Sequence, residues 1–457
     1  MRPLETLSFI LLLVTILLLF FSRKRTSFLL LLFSTIVAVI IQYFNEGIRW
    51  QMYIFIYLLP AIYFCHLKQR SFIRSSVKVF FSFWFLLALA IPYIIPVFSL
   101  PPPQGKDFVG TETFHWIDSS RMEWFTEEKL NDYREIMTQI WYPGQNTQNK
   151  KVEPYMDFIE LRSKTIAEAG NLPSFFPSHL SLVKTNSYLQ IPCKNKEGGL
   201  PVVVFSHGIT GSRHLHQALF EHLASQGYVV VALDHSYDCN LTIFPDGRTA
   251  NYRSEITGHP DSIQIRNQQI NTRTKDIGFV LNQITKIHQG NLQSELNGRI
   301  NLKKIAVGGH SYGGATAIQA AKVDKRIKVC FILDGWINPI PKSTILLGLH
   351  KPFLSMGRPN WKDSDYPDNY VLLNKIFSNS SGHNYKIIIK NTLHLDYTDI
   401  PLYSPVIKYV MDVGDLPPLV SQELINNLIF TFLESYLLDK SEENYKKLLN
   451  NELISVM

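Results

Sequence analysis

The chain is poor in cysteine, in net charge over most of its length, and in the spacings that hold metals or nucleotides. Four cysteines in 457 residues (Cys65, Cys193, Cys239, Cys330) exclude a disulfide scaffold, and no paired CxxC offers a zinc site. No H-E-x-x-H, P-loop or dinucleotide fingerprint occurs. His214 and His216 alternate, and His222 stands alone. These absences predict chemistry without a metal and without a cofactor. The formal net charge of +7 lies entirely in residues 1–103, which carry nine Lys/Arg against Glu5 and Glu46. The remainder holds 36 basic and 36 acidic residues. It has no surplus positive charge for phosphates, so a nucleic-acid partner is not expected. Disorder is excluded by an apolar content of 46%, enough for a large core.

The first hundred residues contain four apolar runs: 4–22, 26–44, 48–66 and 79–98. Each is about as long as the ~20 residues that cross ~30 Å of hydrocarbon as a helix. A cleaved leader could account for the first run, not for the next three. Residues 1–98 are therefore expected to be a multi-pass membrane region of an integral membrane protein, with the lipid bilayer as a partner. Arg23, Lys24 and Arg25 sit between runs one and two, and Lys68, Arg70, Arg74 and Lys78 between three and four. Positive loops stay in the cytoplasm, which puts both termini, and everything beyond residue 100, on the extracytoplasmic side. Residues 99–106, with Pro101, Pro102 and Pro103, read as a short extended linker.

Residues 107–457 alternate strand and helix patterns. Pro201–Phe205 (PVVVF) and Tyr228–Leu233 (YVVVAL) are continuous apolar runs, as in strands buried on both faces. Ile136–Tyr142, Ser187–Ile191, Lys304–Val307, Val329–Leu333 and Lys386–Lys390 are further strands. Helical spacing covers His214–Gln226, Arg273–Ile287, Gly313–Lys322 and Ser421–Leu438. The fold class is α/β with a mostly parallel, doubly wound sheet. Two long stretches, Asp238–Gln268 and Asn338–Asn384, carry no strand signal and read as functional covers or mobile surface.

The chemistry sits in the turns after the strands. Gly309-His310-Ser311-Tyr312-Gly313 follows one strand and opens a helix, the context that G-x-S-x-G requires if its serine is to stand clear of the backbone. Serine needs a base. In this architecture the acid and then the histidine follow it in the chain. His394, four residues beyond the strand Lys386–Lys390, reaches the same sheet edge, whereas His350 and His383 fall in the long excursion. Asp334 ends the next strand and is the candidate acid, ahead of Asp324, Asp363, Asp365 and Asp368. The amide of Tyr312 is one candidate oxyanion donor, and the amide of Ile209, after Phe205-Ser-His-Gly208, is the second. His207 precedes the serine and reads as a loop-shaping residue. Cys193 and Cys239 could pair in an oxidising compartment or remain free thiols. Cys330 reads as a buried small hydrophobe.

The combination of Val109-Gly-Thr111 with Asp118, Trp141-Tyr-Pro143, Val204-Phe-Ser-His-Gly208, Asp234-His235, Pro245-Asp-Gly247, Gly309-His-Ser-Tyr-Gly-Gly314, Asp334-Gly-Trp336 and His394 resembles the plasma-type platelet-activating factor acetylhydrolase family of α/β-hydrolases. The resemblance runs over roughly 105–400. It implies an α/β-hydrolase fold with Ser311 as nucleophile, Asp334 as acid and His394 as base. It also implies an oxyanion hole from the Ile209 and Tyr312 amides, no metal, and hydrolysis of short or oxidised acyl esters of phospholipids or of other carboxylic esters. Tyr312 stands where Phe is usual in the family, and the four apolar runs lie outside the resemblance. A serine-dependent acyltransferase or peptidase would use the same triad. A receptor on a hydrolase fold would not need one, and here no member is missing. Acyl length, head group and oligomeric state are not written in any local pattern.

Overall fold

The computed structural model describes residues 1–22, 24–68, 74–126, 130–147, 150–254, 262–362 and 364–457. Arg23 and Arg70, on which part of the topology argument rests, and the candidate acid Asp363 lie outside them. The chain forms two compact units. One gathers Met1–Ser99, Ile159–Val183 and Tyr403–Ile407; the other holds the rest.

In the first unit four helices follow the apolar runs: α1 (Pro3–Phe21), α2 (Arg25–Glu46), α3 (Tyr53–Lys68) and α4 (Ser75–Ile94). All four are long and apolar enough to cross a membrane. The last begins earlier than its apolar run and stops at Ile94, because Ile95 precedes Pro96 and is pushed out of the helical region to φ −118°. Phe9, Leu12, Ile16, Phe55, Ile62, Phe85 and Ala88 interlock between the helices. Glu5 and Arg49, both fully buried, form a two-pronged ion pair with 2.8 Å contacts. Two stretches remote in sequence join this unit. Trp50 Nε1 donates to the Phe176 carbonyl at 3.1 Å, and Ser404 Oγ to the Ile94 carbonyl at 2.6 Å.

The second unit is built on an eleven-stranded sheet. Its strands are β1 (Phe108–Met122), β2 (Tyr133–Gly144), β3 (Val152–Pro154), β4 (Lys184–Leu189), β5 (Leu200–Ser206) and β6 (Val229–Asp234), then, after the separate hairpin β7–β8 (Leu241–Ile243, Thr249–Asn251), β9 (Ile300–His310), β10 (Ile327–Leu333), β11 (Phe353–Gly357), β12 (Asn384–Ile389) and β13 (Ile454–Val456). The order is β13-β12-β11-β10-β9-β5-β6-β2-β1-β4-β3. The run from β12 to β6 is parallel, and β2 and β13 flank it antiparallel. Successive residues of the central strands face opposite layers, as the two-residue period demands. Val202, Val204, Ile305 and Val307 pack with Ile277, Ile284 and Ile318 of the helices Ser262–His288 and Tyr312–Val323. Val203, Phe205, Ala306 and Phe331 pack with Phe220, Leu428 and Phe432 of Gln217–Ser225 and Pro418–Tyr436. This is the expected α/β-hydrolase arrangement.

Several details differ from the sequence reading. Neither long stretch is free of strands: Asp238–Gln268 holds the hairpin β7–β8, and Asn338–Asn384 contains β11, wholly buried between β10 and β12. The helix through Arg273–Ile287 starts at Ser262. The Pro-rich stretch after residue 99 lies against the sheet unit, where Pro101 O accepts from Asn186 and the Gly105 amide donates to Ser225 Oγ at 3.0 Å. The four cysteines are free thiols, Cys193, Cys239 and Cys330 of them buried.

Candidate active site

Parallel strands deliver their following loops to one edge, where α/β folds place their chemistry. Ser311 follows β9, Asp334 follows the adjacent β10, His394 lies past β12, and the loop His207-Gly208-Ile209 follows β5 on the other side of β9.

Ser311 sits at φ 56°, ψ −120°, a left-handed strain that only a tight strand-to-helix turn imposes on a serine. The glycines make that turn feasible. A Cβ on Gly309 would run into the Gly313 carbonyl, and one on Gly313 would run into the Ser206 carbonyl. The loop after β5 comes equally close: a Cβ on Gly208 would lie 3.2 Å from Ser311 Cβ. The Ile209 amide therefore belongs to a loop pressed against Ser311, and the Tyr312 amide is the first of a helix, without an intrahelical partner. Among the described residues neither amide is engaged by another group of the chain.

His394 Nε2 is 2.9 Å from Ser311 Oγ, and His394 Nδ1 is 2.6 Å from Asp334 Oδ2. All three predicted side chains thus form one line, although 83 residues separate Ser311 from His394. Asp334 is 1% exposed. Its other oxygen accepts from Trp361 Nε1 at 3.1 Å and from the Arg358 amide at 3.2 Å. The Arg358 side chain stands 3.2 Å from Oδ2. His310 Nε2 donates to the His394 carbonyl at 3.0 Å, which fixes its tautomer, and burial holds its imidazole well below the usual histidine range. These positioning groups were missed in the sequence. Trp361 and Arg358 follow β11, the strand without a sequence signal, and His310 is the variable x of the motif. A cavity of about 600 Å³ adjoins the His394 loop, lined by Arg358, Trp361, Leu393, Tyr409, Asp412 and Gly414 among others.

The rejected candidates lie elsewhere. Asp324 pairs with Arg326, Asp365 and Asp368 are exposed, His350 bonds Ser381, and His383 packs on Tyr436. His207 is buried. Its Nδ1 donates to the Gly208 carbonyl at 2.6 Å and its Nε2 accepts from the His235 amide, while Arg273 binds its carbonyl at 2.8 Å. It shapes the loop that carries Ile209, as its sequence position suggested.

A second serine–histidine–aspartate line exists and is instructive. Ser206 Oγ is 2.9 Å from His235 Nε2, and His235 Nδ1 is 2.9 Å from Asp276. All three are fully buried, Arg134 neutralises Asp276, and burial pushes His235 down to about 4. No substrate reaches it, so it serves as a core network. One further trio, His207, Asp234 and Cys239, has donor atoms within 4.8 Å of one another. Those atoms are already engaged: Asp234 by Arg213, Cys239 at 3.0 Å from Thr242, and His207 as above. The set is better described as part of the packing than as a cation cage.

Comparison with known proteins agrees with this architecture. Residues 103–453 match the family model described as platelet-activating factor acetylhydrolase, isoform II. A platelet-activating factor acetylhydrolase of Canis lupus familiaris is 27% identical over 289 residues, 59% of this chain and 63% of the relative. One of Bos taurus is 26% identical, over 61% of this chain and 65% of the relative. The chain therefore spans just under two thirds of the length of these curated relatives. Among solved structures, a ferulic acid esterase from Streptomyces cinnamoneus is similar in fold, with TM-score 0.61 at 24% identity, covering 79% of this chain and all of that one.

Proposed function

The chain belongs to the platelet-activating factor acetylhydrolase, isoform II, family, and from that premise we propose that it is a membrane-anchored serine carboxylic-ester hydrolase. Its substrates are short-chain acyl esters, of the phospholipid sn-2 type or related. The observation that carries this reading is the partly open line Ser311–His394–Asp334, with contacts of 2.9 and 2.6 Å.

The Ser311 hydroxyl attacks the ester carbonyl while His394 Nε2 takes its proton. Asp334 holds the imidazole in the required tautomer and stabilises the imidazolium. The displaced electron pair rests on the carbonyl oxygen, where the Ile209 and Tyr312 amides receive it. Collapse expels the alcohol, which leaves with the proton from His394. The acyl group stays on Ser311 until water, activated by the same histidine, releases it. No step calls for a metal.

The four apolar helical segments, of 19 to 22 residues with the third counted from Trp50, support anchoring, which raises the local concentration of lipid substrate at the site. The basic residues around Lys24–Arg25 and Arg74–Lys78 support an extracytoplasmic position for the hydrolase.

The test is full-length protein and its Ser311→Ala variant against p-nitrophenyl esters from acetyl to palmitoyl and against sn-2 acetyl and long-chain phosphatidylcholines. Ser311-dependent release confined to short acyl groups is the expected result. Wild-type turnover by Ser311→Ala overturns the mechanism, and acyl transfer to an added alcohol in preference to water replaces hydrolysis with transferase chemistry.

A further inference from the structure

We infer that a single buried water molecule sits between the His394 loop and the helix Pro418–Tyr436, and that it positions His394 by holding Asp396. The argument is one of hydrogen-bond accounting. A cavity of about 20 Å³ is lined by His216, Leu219, Asp396, Asp399, Gln422 and Ile425 among others. One water needs roughly 10–15 Å³ and two to four polar partners.

Three of the lining residues carry buried polar atoms without a protein partner: Asp396 Oδ1, Gln422 Oε1 and both ring nitrogens of His216. Their other atoms are committed. Asp396 Oδ2 accepts from the Leu393 and Gly414 amides, each at 2.7 Å. Gln422 Nε2 donates to the Thr398 carbonyl at 3.4 Å, which fixes Oε1 as the atom left over. Asp399, also on the wall, has both oxygens engaged, by the Gln217 and Ala218 amides and Tyr155. Two acceptors therefore remain that cannot pair with each other. Leaving each unsatisfied costs ~1–3 kcal/mol. A water serves both acceptors and one ring nitrogen: it donates to Asp396 Oδ1 and Gln422 Oε1 and accepts one His216 N–H, which leaves the other His216 nitrogen as the single unpartnered atom of the set. A hard cation does not, because it wants about six or more oxygen ligands and two are unpaired here.

The consequence reaches the chemistry through one short segment. Leu393 and Asp396 flank His394, and Asp396 closes that turn by accepting the Leu393 amide. With Oδ1 anchored through water to the helix Pro418–Tyr436, the carboxylate cannot swing, and the His394 backbone is held where its ring spans Ser311 and Asp334. Asp396 is thus a positioning residue. This half of the inference rests on the triad reading; the water itself does not.

Two measurements test it separately. A crystal structure of the full chain at a resolution that orders solvent should show one peak within hydrogen-bond reach of Asp396 Oδ1 and Gln422 Oε1. An empty site, a protein donor in its place, or occupancy that follows sodium or potassium concentration overturns the water. Gln422→Met removes the second acceptor and fills the space. It should lower kcat on p-nitrophenyl acetate by about three- to tenfold with KM unchanged, with Gln422→Glu, which retains an acceptor, recovering most of the loss. An unchanged kcat in a variant shown to lack the water overturns the positioning role. Should Gln422→Met fail to fold, His216→Phe, which removes the donor, gives the same comparison.

Discussion

Ser311 and Ser206 each lie 2.9 Å from a histidine that in turn meets an aspartate, and what separates them is access. His394 keeps about a fifth of its side chain exposed, whereas His235 has none. A nucleophile must meet its substrate, so on the proposed function burial leaves the Ser311 line for chemistry and the Ser206 line to the core. Asp334→Asn should preserve the fold yet lower kcat by about 10⁴, because the amide favours the wrong imidazole tautomer; steady-state kinetics with a short ester reads this. Asp276→Asn should cost stability instead, since it leaves the buried Arg134 charge poorly paired, with melting temperature as the readout and kcat of the folded fraction near wild type. Gly309→Ala would drive a methyl into the Gly313 carbonyl. It should destabilise by about 1–3 kcal/mol and lower serine labelling by a phosphonate, a loss that alanine at the helical Gly278, where no atom would come nearer than 4.0 Å, would not reproduce.

The elements join through loop carboxylates. Asp399, beyond the His394 turn, accepts the amides that open the helix Gln217–Ser225, and that helix follows the loop that carries Gly208 and Ile209. Burial pushes its carboxyl up to about 8. Between about pH 4 and 8 the folded chain then retains a proton that the unfolded chain has released. Stability falls as pH rises through that window, by at most about 1.4 kcal/mol per pH unit from this group. Asp399→Asn should flatten this slope in melts taken from pH 5 to 8; an unchanged slope would remove Asp399 from the account. At this scale much was legible beforehand. β5 and β6 are unbroken apolar runs because both faces are covered, and G-x-S-x-G marks its own strand and helix. β11 was not legible. Phe353–Gly357 is five residues with a serine and a glycine among them, and it becomes a strand only because β10 and β12 offer it backbone partners on both sides.

As a whole molecule, the protein joins an apolar four-helix region and an eleven-stranded sheet unit in one chain. The anchoring proposal predicts that the full chain stays in the membrane pellet after alkaline carbonate extraction; release to the supernatant would reject it. Within the helical unit, Glu5 pairs with Arg49 and also with Arg2 at 2.7 Å, and neither Glu5 nor Arg49 has exposed side-chain surface. Glu5→Ala alone should lower the detergent-melting transition strongly, by an amount equivalent to about 3–5 kcal/mol, and replacing both residues by apolar ones of similar size should restore most of it.

Local pattern alone was enough for the four apolar runs, the parallel sheet and the G-x-S-x-G turn between strand and helix, because each is a matter of spacing along a few neighbouring residues. It did not contain the Trp361 and Arg358 contacts on Asp334, the grip of His310 on the His394 carbonyl, the Glu5–Arg49 pair, or the joining of Ile159–Val183 to the helices. Those depend on which segments the packing brings together. Hydrophobic period reports which face of an element is buried but carries no address for the partner that buries it.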